Sequence, residues 1–477
     1  MRSSGVGRRA ALAAPLIGLL WLLAAPSCRR APVALGPIVL ITFDGLRADV
    51  VGSINGGGEK GLTPSFDSFA AAADWAGRGI APSSWTAPSM ASLWTGLRPW
   101  QHQAIDGTRA ALGGDLRTLP EALQAAGYRT SGFPSGPWLT PRLGYGRGFD
   151  ELASLGDGDA AVARLEHLQD REFVWLHIPE PHVPWVRRPW LRDALRGEVP
   201  GGLPRSVEAA DLGAYFDPRK PLAGEDRETY WALYRLNVAW ADQRLGRFLD
   251  AVKASGRWKR ALVVVTAVEG EELGEDGLVL TGGGLCRELI EVPLAIKLPR
   301  RSRRLAVPRG ARPAIQRLFA TLLEAAGGAP APATAPSLFR APGSGPVLSE
   351  LYLSGGADRF SLVDGDDQLL WVTRFAPPSP AVYRASFESI LRPLAPPLAP
   401  PAGLARLTGA FAAARPLSGS PPLLSLRRWE AGSGSRPLVD PRRRTALAGL
   451  LGPAWRSFLG EETTPAEEAR DRAVPAL

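Results

Sequence analysis

Asp44 and Thr86 are the two side chains around which chemistry can be built. Asp44 closes the apolar run Pro37-Ile38-Val39-Leu40-Ile41-Thr42-Phe43. Thr86 opens Thr86-Ala87-Pro88-Ser89-Met90-Ala91-Ser92, a hydroxyl on a Pro-Ser turn that leads into a helix. An acid delivered by a buried strand and a hydroxyl at a helix start can set a nucleophile beside a metal ion or a helix N-terminus. Both residues also have structural uses, Thr86 as a helix N-cap and Asp44 as a partner for Arg47 or a strand-end cap. Glu180 and His182 follow a second apolar run, at 172–178, as an acid–base pair or as a surface pair near the mouth of a site. Glu269, Glu271, Glu272, Glu275 and Asp276 follow a third, at 260–267. They read as a solvated acidic loop, with a weak Ca²⁺ site as the sharper alternative. His102 and His177 read as satisfied core or wall histidines, and Cys286 as a small buried apolar residue.

The elements that must position these groups are legible. The runs at 37–43, 172–178 and 260–267 are continuous and apolar, the pattern of parallel strands buried on both faces. Acids at the C-terminal ends of such strands stand where open α/β sheets place their chemistry. Residues 127–133 and 292–298 read as further strands. Thr63-Pro64 opens a helix, with Thr63 as N-cap and Pro64 at the first position. Thr118 to Leu123 starts another. From 227 to 254 apolar residues recur at helical spacing, a long amphipathic scaffold helix. Residues 186–225 are polar and rich in Pro and Gly and read as a loop over the site. Residues 313–326 read as a helix capped by Gly327-Gly328. Residues 360–372 read as a β-hairpin turning at Asp364-Gly365. Residues 377–422 are Pro-rich and irregular, and Asp440-Pro441 starts a last helix.

With 477 residues, 45% of them hydrophobic, the chain has ample length for a large core. Its net charge of +9 is carried almost wholly by arginine, and no basic run with interleaved aromatics is present, which argues against nucleic acid as a partner. Arg2, Arg8 and Arg9 precede an apolar stretch at 10–25 that is short for a membrane span and reads as a secretory signal. Cys28 at its end marks a lipobox-like site, pointing to an exported, periplasmic or membrane-anchored lipoprotein of a bacterial envelope. The other cysteine, Cys286, has no partner for an internal disulfide.

The stretch from Thr86 to Gly96 resembles the nucleophile motif of the sulfatases and their alkaline-phosphatase-superfamily relatives, C/S/T-x-P-S-R/H-A-S-L-x-T-G. Ile41-Thr42-Phe43-Asp44-Gly45-Leu46-Arg47-Ala48-Asp49 is similar to the family's opening, where the first Asp binds the metal. Where true sulfatases often carry a second Asp, this chain has Gly45. Glu180-Pro181-His182-Val183-Pro184-Trp185 resembles D-P-H-x-P-Y. The family's S-D-H-G-E reads Ala267-Val268-Glu269-Gly270-Glu271 here, and both histidines of its next block are replaced, by Thr281 and Gly283. Met90 stands at the Arg/His position that holds the ester oxygens.

The resemblance implies an α/β fold, a large, mainly parallel central sheet flanked by helices, with a small C-terminal α+β subdomain. Together with the signal segment at 1–28 and the Pro/Ala-rich linker at 329–345, it sets a sulfatase-like domain at 29–328 and the small subdomain at 346–477. It implies a divalent metal (Ca, Mg, Mn or Zn) if the protein is active, with Asp44 and Glu269 as ligands, Thr86 as nucleophile and His182 and Glu180 assisting. An anionic ester, glycan or lipid is the implied substrate or ligand. Sulfatases convert Cys or Ser to formylglycine, which Thr86 cannot become, so Thr86 points to phosphoryl chemistry. The substitutions at Met90, Val268, Thr281 and Gly283 lead to the expectation of a degenerate site with weak catalysis or none and possession of no metal as one outcome; an active phosphoester or sulfoester hydrolase or transferase is the alternative.

Overall fold

The computed structural model describes residues 36–372, apart from 56–60, 108, 195–201, 210, 217–221, 276–278, 301, 341–344 and 353–357, together with 423–429 and 435–437. The signal segment, Cys28, Asp276, the Pro-rich stretch at 377–422 and the helix expected from Asp440 lie outside the described residues.

In chain order the strands are β1 (Ile38–Asp44), β2 (Trp75–Ile80), β3 (Arg129–Phe133), β4 (Glu151–Leu152), β5 (Glu172–Pro181), β6 (Trp185–Val186), β7 (Ser206–Val207), β8 (Leu262–Ala267), β9 (Glu272–Leu273), β10 (Val279–Leu280) and β11 (Glu291–Lys297). The helices among them are α1 (Pro64–Ala72), α2 (Thr86–Thr95), α3 (Pro99–His102), α4 (Leu119–Ala125), α5 (Asp159–Glu166), α6 (Gly224–Ala254) and α7 (Arg287–Ile290), followed by α8 (Leu318–Ala325). One seven-stranded sheet has the order β2-β11-β8-β1-β5-β3-β4. β8, β1, β5, β3 and β4 run parallel, and β11 is antiparallel to both β8 and β2. All residues of β1, β8 and β11 are buried, as continuous apolar runs require of strands covered on both faces. The expected large, mainly parallel sheet is therefore observed.

A second sheet of five antiparallel strands follows: β12 (Val347–Leu351), β13 (Arg359–Asp364), β14 (Asp367–Val372), β15 (Leu423–Trp429) and β16 (Ser435–Pro437). The hairpin expected at 360–372 is β13–β14, closed by the Asp364–Asp367 pair. This sheet docks beside the helix carrying Thr86: Glu350 N donates to Pro82 O and Ser349 Oγ to Ala81 O.

Thr63 stands at the N-cap of α1 and Pro64 at its first position, as expected, but the Thr63 side chain makes no capping hydrogen bond. The amides of Ser65 and Phe66 instead donate to the Asp242 carboxylate on α6, each at 2.8 Å, so a distant acid takes the place of the local hydroxyl. The expected helix at 313–326 begins as a 3₁₀ turn, Ile315–Arg317, before α8. The segment at 186–225 holds the β6–β7 pair and two 3₁₀ turns in its described parts.

Candidate active site

Parallel pairing brings the C-terminal ends of β8, β1 and β5 together. Thr42 lies opposite His177 on β5 and Thr266 on β8, so Asp44, His182 and Glu269 leave the sheet at one edge. The backbone holds them there. His182 N donates to Asp44 O (3.0 Å) and Val268 N to Phe43 O (3.0 Å). α2 enters from the side with every residue buried. Its Ala87 carbonyl accepts from the Tyr145 hydroxyl (2.8 Å), and Trp85 packs edge-on against Trp138.

Thr86 is not a cap. It is the first residue of α2, and Trp85 holds the capping position. Its Oγ1 lies 3.1 Å from Asp44 Oδ1, 3.3 Å from Asp44 Oδ2 and 3.1 Å from Glu269 Oε1. The hydroxyl thus faces two carboxyl groups instead of satisfying its own helix. Nor does Asp44 serve Arg47, whose guanidinium is taken up by Asp49 (2.6 Å) and Glu275 (2.7 Å) and lies over the Trp231 ring.

The acids are forced apart electrostatically. Burial pushes the Asp44 carboxyl up, but hydrogen bonding with Glu269 and His177 and the charges of His182 and His177 more than offset this and hold it below the carboxylate range. Burial pushes Glu269 up, and Asp44 beside it pushes it further, well above that range. Two buried acids in contact divide their proton affinities in this way. Burial lowers His182, but Glu271 and Asp44 overcome it and the ring gains proton affinity. His177 Nε2 lies 3.5 Å from Asp44 Oδ2, and its Nδ1 is 2.9 Å from Thr42 Oγ1.

The acidic loop expected to be solvated is buried. Glu269, Glu271 and Glu272 are 0% exposed, and Glu275 pairs with Arg47. The reason is Gly270: its amide donates to Leu289 O, and an added Cβ would lie 1.9 Å from Glu288 O. A turn that docks this closely draws the acids on both sides inward. Glu271 is pushed up to about 8, by burial first, with His182 acting against it and Asp44 adding to it. Glu271 and His177 thus face the site, where sequence alone points to a solvated loop and a wall. No local signal marks either one.

Glu180 goes elsewhere. Its carboxylate accepts from Arg244 (2.7 Å) and Trp240 Nε1 (3.1 Å), both on α6, and lies 3.6 Å from the Arg188 guanidinium. His182 is half-buried, with Nε2 3.4 Å from Thr281 Oγ1. Thr281 therefore faces the site. Gly283 gives its carbonyl to Arg359. Met90 and Val268 are fully buried and apolar. His102 is a wall residue, 2.9 Å from Ser92 Oγ, and burial lowers it to about 3. Cys286 is buried.

A sulfatase family model matches residues 37–164 and 158–329, more than half of the chain. The chain belongs to the sulfatase family. No protein of curated function matches it. Among solved structures it is similar to a 2-O GAG sulfatase (18% identity, TM-score 0.56, 70% of this chain and 82% of that one). It is also similar to a protein solved with its substrate D-glucosamine-2-N,6-O-disulfate (18%, TM-score 0.56, 72% and 89%) and to a phosphonate monoester hydrolase of Agrobacterium radiobacter (17%, TM-score 0.53, 70% and 87%). At these identities the likeness establishes the fold.

The family resemblance implies a divalent cation. Among the described residues no three His, Cys, Asp or Glu side chains are drawn up around one point as ligands. The donor chemistry nonetheless fits a hard cation. Buried carboxyl oxygens cluster at the strand ends, and Glu269 Oε2 has no hydrogen-bond partner. Among the described residues no helix is long and apolar enough to cross a membrane.

Proposed function

We propose that this protein is a cation-dependent hydrolase or transferase of anionic esters, with Thr86 as nucleophile and phosphoesters as the favoured class. The observation that carries this reading is the Thr86 hydroxyl, held 3.1 Å from both Asp44 and Glu269 at the start of a buried helix. Thr86 bears a methyl group on its carbinol carbon, so it cannot become the aldehyde that sulfatases use, and its direct attack suits phosphorus. Asp44 and Glu269 would hold the cation, which supplies charge neutralisation for the ester and a lowered proton affinity for the Thr86 hydroxyl.

This chain's residues do the rest. Thr86 Oγ1 bonds to phosphorus as its proton passes to the carboxylate of Asp44, the acid that its neighbours hold ionised. The P–O bond to the alcohol breaks, and His182, whose acidic neighbours favour its protonated form, gives the departing oxygen a proton. Water or an acceptor alcohol then takes the phosphoryl group from Thr86. Glu180 positions α6 in this scheme. The solved neighbours handle a sulfated glucosamine and phosphonate monoesters, which supports a small anionic ester or glycan as substrate. Lipidation at Cys28 would hold the domain on the outer face of a bacterial membrane.

A degenerate site is the second reading, favoured by the apolar, buried Met90 and Val268 at positions where the family uses polar groups. The two part on one assay. Aryl phosphomonoesters, phosphodiesters, phosphonates and sulfates are offered to wild type, Thr86→Ala and Asp44→Ala. Turnover lost in both variants supports the catalytic reading. Turnover that survives both, or none with any ester, overturns it.

A further inference from the structure

The edge of the central sheet opposite the site is where the chain enters it. β1, β5 and β8 begin together there, with Ile38 opposite both Phe173 and Leu262, and β11 ends there, with Lys297 opposite Val263. Gly36 packs on the turn before β8. An added Cβ would stand 2.1 Å from Arg260 O, and Gly36 O accepts from the Tyr128 hydroxyl (3.1 Å). Asp44 closes the same strand, about 20 Å away at the ordinary rise of a strand.

This edge is basic. Lys259 and Arg300 are exposed, and Arg300 N donates to Lys259 O (2.9 Å). Arg257 and Arg260 share one acid, Asp170, at 3.7 and 2.8 Å. Lys253 pairs with Asp250 (2.8 Å), and the Asp74 carboxylate accepts from Leu298 N (2.6 Å). Five cations thus stand against three acids, and the chain adds Arg29 and Arg30 shortly before Gly36. Beside them the half-buried Trp258 lines an open groove of about 390 Å³ with Phe69 and Leu249, and the Lys253 ammonium lies 5.7 Å from the Trp258 ring. Cations around a tryptophan suit a membrane–water interface, where the ring sits at headgroup level and the charges meet anionic lipid.

Seven residues separate Cys28 from Gly36. Fully extended, that length of chain spans about 30 Å at most. A lipid on Cys28 therefore keeps Gly36 within that reach of the bilayer, and Gly36 lies on the basic edge. We propose that this edge is a docking face for anionic phospholipid headgroups, with Lys259, Arg260 and Arg300 against the lipid phosphates and Trp258 at their level. This rests on the lipidation of Cys28 proposed above and extends it. The site then lies on the far side of the sheet from the bilayer. Its substrate is an anionic ester that arrives from the aqueous side, not a headgroup of the membrane that carries the protein.

The test uses the full chain, produced in a bacterial host and reconstituted on vesicles of phosphatidylcholine alone or with phosphatidylglycerol added. Mass spectrometry of the N-terminal peptide reads acylation of Cys28, and amide hydrogen exchange reads contact. On the anionic vesicles, exchange at 257–260 and 298–300 should slow about 5-fold or more relative to the neutral ones, the weight of one basic residue near a charged surface. High salt should remove the difference. Lys259→Glu/Arg300→Glu should also remove it, with acylation and thermal denaturation as in wild type, because both side chains are exposed. An unmodified Cys28 overturns the tether and the docking face with it. An acylated Cys28 with equal exchange on both vesicles overturns the docking face alone, as does slowing confined to the site at 182–186.

Discussion

The carboxylate of Glu180 and the guanidinium of Arg244 meet at 2.7 Å, joining the end of β5 to the long helix α6. Arg244 also donates to Gly156 O, so it ties three segments together. Arg244→Ala leaves a largely buried carboxylate with only Arg188 (3.6 Å) and Trp240 Nε1 as partners and should cost about 1–3 kcal/mol, below the range for fully buried pairs that lose their sole partner. Glu180→Gln keeps an acceptor for Arg244 and Trp240 and should cost less, with cation affinity unchanged. Urea denaturation measures the first effect and calorimetry the second. A large loss of cation affinity in Glu180→Gln would return that residue to the site.

Thr42 lies beneath the site and holds two buried donors or acceptors at once. Trp175 Nε1 donates to its oxygen (3.0 Å), and His177 Nδ1 is 2.9 Å away. Thr42→Val conserves shape but strands both groups. Stability should fall about 1–3 kcal/mol by chemical denaturation. His177→Phe should in addition loosen Asp44 and weaken cation binding by about 10-fold or more, the scale seen for residues that orient a ligand.

Glu350 gives a pH test far from Thr86. It is fully buried and pushed up to about 7, by burial first, with Arg98 and hydrogen bonds from Trp100 N and Tyr352 Oη acting against it. Its folded pKa exceeds its unfolded one, so the folded state holds the extra proton between about pH 4.5 and 7. Stability from this group is complete below pH 4.5 and is lost as pH rises through 7. Glu350→Gln should remove that part of the slope, on the order of 3 kcal/mol at most across the window. The check is the difference between the two proteins' stability curves from pH 4 to 8. Parallel curves would refute it.

Gly270→Ala would drive a methyl group into the Glu288 carbonyl. Overpacking against backbone should cost about 3 kcal/mol or more and turn both flanking acids out of register. Gly114→Ala, which meets nothing within 4 Å, is the control and should be neutral.

Much of the frame was legible because it is local. β1, β5, β8 and β11 announce themselves as apolar runs, α6 by its spacing, and the β13–β14 hairpin by Asp364-Gly365. β2 was not legible: Trp75-Ala76-Gly77-Arg78-Gly79-Ile80 has little strand character and is held by pairing with β11. The same distinction divides the site. Asp44 and Thr86 could be paired from their elements. The burial of Glu269 and Glu271 could not, because an acidic turn in solvent and one docked on Leu289 share one sequence pattern. The capping of α1 by Asp242, 176 residues from Phe66, is likewise invisible to a local reading. The ion pair of Glu180 with Arg244, 64 residues on along the chain, is hidden from a local reading in the same way.

The contact between Gly45 and Glu271 Oε2 also constrains how this protein can vary. A side chain at 45 would press on the far end of the Glu271 side chain, which must turn aside to admit it, although 226 positions separate them. A change in the first strand's motif is therefore felt in the acidic turn after the third, a coupling that neither motif shows when read alone.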